Sequence, residues 1–156
     1  MDKLSKANSY KEENHVSKDE LPMFHVTPPC GWMNDPNGFS VYQGKVHLFY
    51  QFHPYSEIWG PMHWGHCETE DFIRWTELPV ALAPDQSYDD AGCFSGSGIE
   101  TEKGHLLVYT GVIEKEEDGE KKTYQNQCLA WGDGEQYRKY EQNPVITGEM
   151  LPEHFS

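Results

Sequence analysis

The segment Gly31-Trp32-Met33-Asn34-Asp35-Pro36-Asn37-Gly38 gathers groups suited to chemistry on a polyol: one carboxylate, two amides and an indole. More aromatic and amide groups follow in Tyr50-Gln51 and Trp59-Gly60. Flat rings pack against the C–H faces of sugars, while amides and carboxylates fix the hydroxyls, so this set points to carbohydrate. Pro36 locks its own φ and restricts the residue before it, which would hold the Asp35 carboxylate in one orientation. The same residues also suit a plain β-turn without chemistry, because Asp-Pro and Asn-Gly are both strong turn formers.

Positioning these groups falls to short β-rich runs separated by Gly, Pro, Asn and Asp from Phe24 onward. The clearest run is Lys45 to Phe52. Alternation sets Val46, Leu48, Tyr50 and Phe52 on one face, and His47, Phe49 and Gln51 on the other. Gly44 marks a hairpin back to Phe39–Tyr42. Further strands are predicted over Met62–Glu68, Ser97–Glu100, His105–Val112 and Tyr124–Trp131, with Glu114–Lys122 as a solvated hairpin tip. Residues 1–22 are polar, offer no continuous apolar face, and are expected to form an arm, partly helical, ahead of a domain over residues 23–156. Many short antiparallel strands without a helical period predict an all-β sandwich, barrel or propeller, and periodicity does not choose among them. No clean internal repeat is visible, although Trp-rich strands recur at blade-like spacing.

Composition narrows the function. With 26 acidic against 12 basic side chains the net charge is −14, which repels nucleic-acid backbones and anionic membrane surfaces. The start has no signal-peptide core, and no apolar run approaches the ~20 residues of a membrane span. A soluble, cytoplasmic protein binding neither nucleic acid nor membrane is expected. Cys30, Cys67, Cys93 and Cys128 are widely spaced and form no C-x-x-C pair, so free thiols are the default. Cys93 is expected to be a small buried filler. His63 and His66 stand three apart, and in a strand such residues point to opposite faces, so neither a metal site nor any cofactor is expected.

Several motifs in order resemble glycoside hydrolase family 32, the invertases, fructan hydrolases and sucrose-6-phosphate hydrolases. His25-Val26-Thr27-Pro28-Pro29 leads into Trp32-Met33-Asn34-Asp35-Pro36-Asn37-Gly38, which resembles the family's nucleophile motif. Phe49-Tyr50-Gln51-Phe52-His53-Pro54, Trp59-Gly60-Pro61-Met62-His63-Trp64-Gly65-His66 and Phe94-Ser95-Gly96-Ser97 resemble the next pieces. Co-occurrence in order over residues 25 to 100 makes the resemblance specific. It implies a five-bladed β-propeller, of which this chain would supply the first blade and most of the second. It implies Asp35 as the catalytic nucleophile, with Trp32, Met33, Asn34, Gln51, Trp59, Phe94 and Ser95 binding a small sugar: sucrose, sucrose 6-phosphate or a short fructan. The absent signal peptide favours the phosphorylated disaccharide, which transport systems deliver inside the cell.

The resemblance further implies a retaining mechanism, in which one carboxylate attacks the anomeric carbon and a second protonates the leaving oxygen. The family's second carboxylate is a glutamate followed by cysteine, and an Arg-Asp-Pro aspartate binds sugar hydroxyls. Neither motif occurs in this sequence. The run Leu151-Pro152-Glu153-His154-Phe155-Ser156 is similar to the approach to that Arg-Asp-Pro, so the sequence is expected to be an incomplete fragment. A non-catalytic sugar-binding module and an inert remnant fit the same residues. Asp85, Asp89 and Asp90, near Phe94-Ser95, are the local candidates should a second carboxylate lie within the chain.

Overall fold

The computed structural model describes residues 1–22 and 25–152. The onset of β texture at Phe24 and the closing Glu153-His154-Phe155-Ser156 lie outside the described residues. Among the described residues eight strands form two antiparallel sheets, each connected in simple sequence order. The first holds β1 (Trp32–Tyr42), β2 (Lys45–His53), β3 (His63–Thr69) and β4 (Thr76–Glu77); the second holds β5 (Gly92–Thr101), β6 (Gly104–Glu117), β7 (Glu120–Gly132) and β8 (Tyr137–Lys139). Two-residue turns close the tightest hairpins, because Gln43-Gly44 and Asp118-Gly119 all adopt positive φ, the geometry that matches strand twist. The predicted tip Glu114–Lys122 therefore shrinks to Asp118-Gly119. Pairing persists outward to Glu117↔Glu120, with ion pairs Lys121–Glu114 at 2.7 Å and Lys122–Glu117 at 3.1 Å.

Asp35-Pro36-Asn37-Gly38 is bulged strand and not a turn. Register shifts fall between Asn34 and Pro36 and between Asn37 and Ser40, leaving Asp35 without a partner on β2. Gly38, at φ 59°, is required here, since a β-carbon would lie 2.6 Å from the Phe49 ring.

β2 is buried on both faces. Phe49 joins Trp64, Leu82, Cys93, Leu107, Tyr109, Cys128, Ala130 and Tyr137 in the core between the sheets. Tyr50 and Phe52 face a second cluster with Ala7, Cys30, Cys67 and Val80. Ala7 belongs to the helix α1 (Lys3–Glu13), which Asp2 caps by accepting from the Ser5 amide at 2.8 Å. Residues 1–22, expected to lack a packing face, thus dock through Leu4, Ala7 and Tyr10. Polar anchors complete the contact. The Asn8 carboxamide oxygen accepts from Val80 N at 2.8 Å, and buried Lys11 reaches the Leu78 carbonyl at 2.9 Å and Glu77 at 2.6 Å. Three apolar residues one turn apart are too few to stand out in a charged sequence, and their docking depends on the distant Val80. Among the described residues no helix is long and apolar enough to cross a membrane.

Three buried histidines stitch the two sheets together. His47 Nδ1 lies 2.9 Å from His66 Nε2, and His105 bonds Ser40 Oγ at 2.9 Å and the Tyr137 hydroxyl at 2.7 Å. Tyr42 stacks on His105, Phe49 stacks on His66, and Glu68 lies 3.9 Å from His47. Burial lowers all three from the ordinary 6.5, His105 to about 4 and His66 well below normal. The unfolded chain therefore binds protons that the folded one excludes. The histidine contribution should be complete above pH 6.5 and decline as pH falls towards 4. Thermal melts across that window check it: Tm should drop on acidification, and a Tm flat down to pH 4 would contradict it.

Candidate active site

Two contacts set β1 and β5 side by side in the same direction. The Gln51 carboxamide, on β2 directly opposite Asn34, donates to the Cys93 carbonyl at 3.0 Å. Further along, a methyl group at Gly98 would fall 2.8 Å from Ser40 Oγ and 2.9 Å from the Gly38 carbonyl. Asn34 and Cys93 thus share one level, and Gly38–Ser40 and Gly98 share the next. Asp35 lies between these levels on β1, and Ser95 between them on β5. Each sits at a bulge: Asp35 between Asn34 and Pro36, Ser95 between Phe94 and Gly96. Bulges re-aim side chains at strand ends, and here they do so at the same level of two adjacent strands.

The structure brings together most of the predicted set. Trp32 Nε1 donates to the Asn34 carboxamide oxygen at 2.7 Å, locking indole and amide to each other. Asn34 faces Gln51, so Asp35, one residue on, lies within roughly 10 Å of Gln51 by strand geometry. Trp59, 53% exposed in the β2–β3 connection, meets Phe94 edge to face with ring centroids 6.3 Å apart. Met33 is not brought in. It pairs with Phe52 and packs into the cluster with Tyr50 and Ala7, because alternation turns it to the face opposite Asn34.

Other residues contribute that sequence patterning did not single out. Asn37 Nδ2 donates to the Asp35 carbonyl at 3.3 Å across the bulge. Trp64, wholly buried, donates its indole N–H to the Phe94 carbonyl at 3.1 Å, so both Trp64 and Gln51 tie the first sheet to the entry of β5. Only the offset HWGH spacing could have hinted at this, since the partner lies 30 residues away.

Asp85 and Asp89, considered as local second carboxylates, are already engaged: Lys139 Nζ lies 2.7 Å from Asp85 and 2.6 Å from Asp89. Asp89 is fully buried and also accepts from the Tyr109 hydroxyl at 2.8 Å; Asp90 is exposed. His63 pairs with Phe52 and His66 with Phe49, which places them on opposite faces of β3. All four cysteines are free and buried, and burial pushes Cys67 up to about 12 and Cys128 to about 11, so neither is a ready nucleophile. A cavity of about 710 Å³ lies between α1 and the β7–β8 turn and contains none of the site residues. Trp131 and Arg138, cross-strand partners on β7 and β8, border it together with Tyr137.

Comparison with known proteins gives a consistent picture. Residues 25–155 match the model of the Glycosyl hydrolases family 32 N-terminal domain. A sucrose-6-phosphate hydrolase of Zymomonas mobilis subsp. mobilis is 46% identical over 143 residues, covering 90% of this chain and 28% of that protein. The raffinose invertase of Escherichia coli is 47% identical over 157 residues, covering 98% of this chain and 33% of its own length. Among solved structures, a mutant of a Bombyx mori GH32 β-fructofuranosidase in complex with sucrose superposes with a TM-score of 0.83 at 40% identity, over 96% of this chain and 31% of that one. The chain thus spans about a third or less of the length of the relatives it matches. Ordered motifs, paired meander sheets and family match agree: the chain belongs to glycoside hydrolase family 32, and its two four-stranded sheets are blades of that family's β-propeller.

Proposed function

We propose that this chain supplies the nucleophile side of a retaining β-fructofuranosidase site acting on sucrose or sucrose 6-phosphate. The observation that carries it is the shared level of the two bulges, which sets Asp35 beside Ser95 with Gln51 bridging the blades. In this reading an Asp35 oxygen bonds to the anomeric carbon as the glycosidic C–O bond breaks, and the leaving oxygen takes a proton from a second carboxyl. Water, deprotonated by that second group, then releases the fructosyl unit and frees Asp35. Asn34, Gln51 and Ser95 orient hydroxyls, while Trp32, Trp59 and Phe94 cover C–H faces. The second carboxyl comes from outside residues 1–156, since no Glu-Cys or Arg-Asp-Pro occurs within them.

The Zymomonas and Bombyx relatives support the substrate class, being named for sucrose 6-phosphate and solved with sucrose respectively. A phosphorylated disaccharide is charged and does not cross a bilayer unaided, so this substrate goes with a cytoplasmic location. Residues 23–156 form the catalytic-domain portion, with residues 1–22 docked on it. The test is a fusion of residues 1–156 to the downstream remainder of the Zymomonas mobilis relative. The fusion should release fructose from sucrose or its 6-phosphate, whereas residues 1–156 alone should release none, lacking general acid catalysis worth ~10²–10⁴-fold and the positioning it needs. A folded but inactive fusion would leave the sugar-binding alternative, and an isolated chain as fast as the fusion would show the chemistry misassigned.

A further inference from the structure

Three successive carbonyls at the entry of β5 are each held by a side chain. Cys93 O accepts from Gln51 at 3.0 Å, Phe94 O from Trp64 at 3.1 Å, and Ser95 O from the Thr110 hydroxyl at 3.3 Å. The third bond answers a specific need. Phe94 pairs with Thr110 and Gly96 with Tyr109, so Ser95 has no partner on β6 and its carbonyl falls outside the regular pairing.

The Thr110 hydroxyl has one proton to give, and Gln127 decides where it goes. Gln127 Nε2 donates to Thr110 Oγ1 at 3.1 Å, filling an acceptor position and leaving the hydroxyl proton for Ser95. Gln127 is Thr110's direct partner across β6 and β7. Its backbone is pinned on both sides, with Gln127 N donating to the Ile146 carbonyl and Val145 N donating to the Gln127 carbonyl, both at 2.8 Å. A relay of fixed groups therefore runs from residues 145–146 through Gln127 and Thr110 to Ser95.

We infer that Thr110, oriented by Gln127, is a positioning residue that sets Ser95 at the sugar pocket. The inference rests on the proposed fructosyl site. Loss of the hydroxyl leaves the bulged Ser95 free to shift, which weakens sugar binding and leaves the nucleophile's bond formation intact. In the fusion, Thr110→Val should raise KM about tenfold, the factor equivalent to one lost hydrogen bond, with kcat changed less than about twofold. Thr110→Ser retains the hydroxyl and should stay within about twofold of the parent in both. A structural role alone would lower Tm and the amount of active enzyme, reducing apparent kcat at unchanged KM. Should Thr110→Val fail to fold, Gln127→Met carries the same test, with a smaller KM-led loss expected. An active fusion whose KM ignores these changes, or a Thr110→Ser as impaired as Thr110→Val, overturns this inference alone. A parent fusion with no activity overturns the fructosyl reading and takes this inference with it.

Discussion

Asp35→Asn in the fusion should lower kcat by several orders of magnitude while the protein folds and still binds its sugar. Asparagine keeps the size and one hydrogen-bonding oxygen of the side chain but lacks the charge that forms the covalent bond, so the loss falls on the chemical step. The local structure should tolerate the change. Asp35 is exposed at a bulge, outside the regular pairing, and its carbonyl contact with Asn37 uses backbone that the substitution preserves. Asn34→Ala and Gln51→Ala should each cost less, on the order of 1–3 kcal/mol for a lost polar contact. If Asp35 merely shaped the chain, the ordering would reverse, since asparagine serves bends nearly as well as aspartate. Steady-state kinetics with a parallel sugar-binding measurement decide between the two, and near-parental turnover in Asp35→Asn would sink the proposed function.

Lys139→Met should be the most damaging of the substitutions to stability, at about 3–5 kcal/mol, because it strips the counter-charge from a fully buried carboxylate. Lys139 rises from β8 to Asp89 and Asp85 and also reaches the Ala83 carbonyl, tying the outermost strand of the second blade to the chain that links the blades. Asp89 further accepts from Gln86 N at 2.9 Å and from the Tyr109 hydroxyl at 2.8 Å. Methionine restores much of the volume but none of the charge. Denaturant unfolding of the fusion checks this. Lys139→Met with Asp89→Asn should recover part of the loss, since the stranded charge is then gone. Lys121→Met, which breaks an exposed pair with Glu114, should cost no more than about 1 kcal/mol. Equal losses for the buried and the exposed lysine would contradict this account.

The residues of the sequence determined a good deal on their own. Alternation in Lys45–Phe52 is a local property of a period-two backbone, so it gave both faces of β2 directly. Gly44 gave its hairpin for the same reason, since positive φ is a demand made by the turn itself, whereas the second hairpin was placed only within Glu114–Lys122. The ordered motifs from His25 to Ser97 carried the family, and with it the choice of propeller over sandwich or barrel that periodicity left open.

What only the tertiary structure decided involves partners far apart in the chain. Each bulge shifts the alternation by one residue, and nothing local in Asn34-Asp35-Pro36 or Phe94-Ser95-Gly96 says where that happens, so the missing ladder partners of Asp35 and Ser95 were not legible. Docking of α1 depends on Val80, the second blade's stability on an aspartate 50 residues from Lys139, and the hold on Ser95 on a threonine and a glutamine in the next two strands. Side-chain hydrogen bonds of this kind are set by where the sheets pack, and packing is a property of all the strands at once, whereas strand and turn preferences belong to a few neighbouring residues.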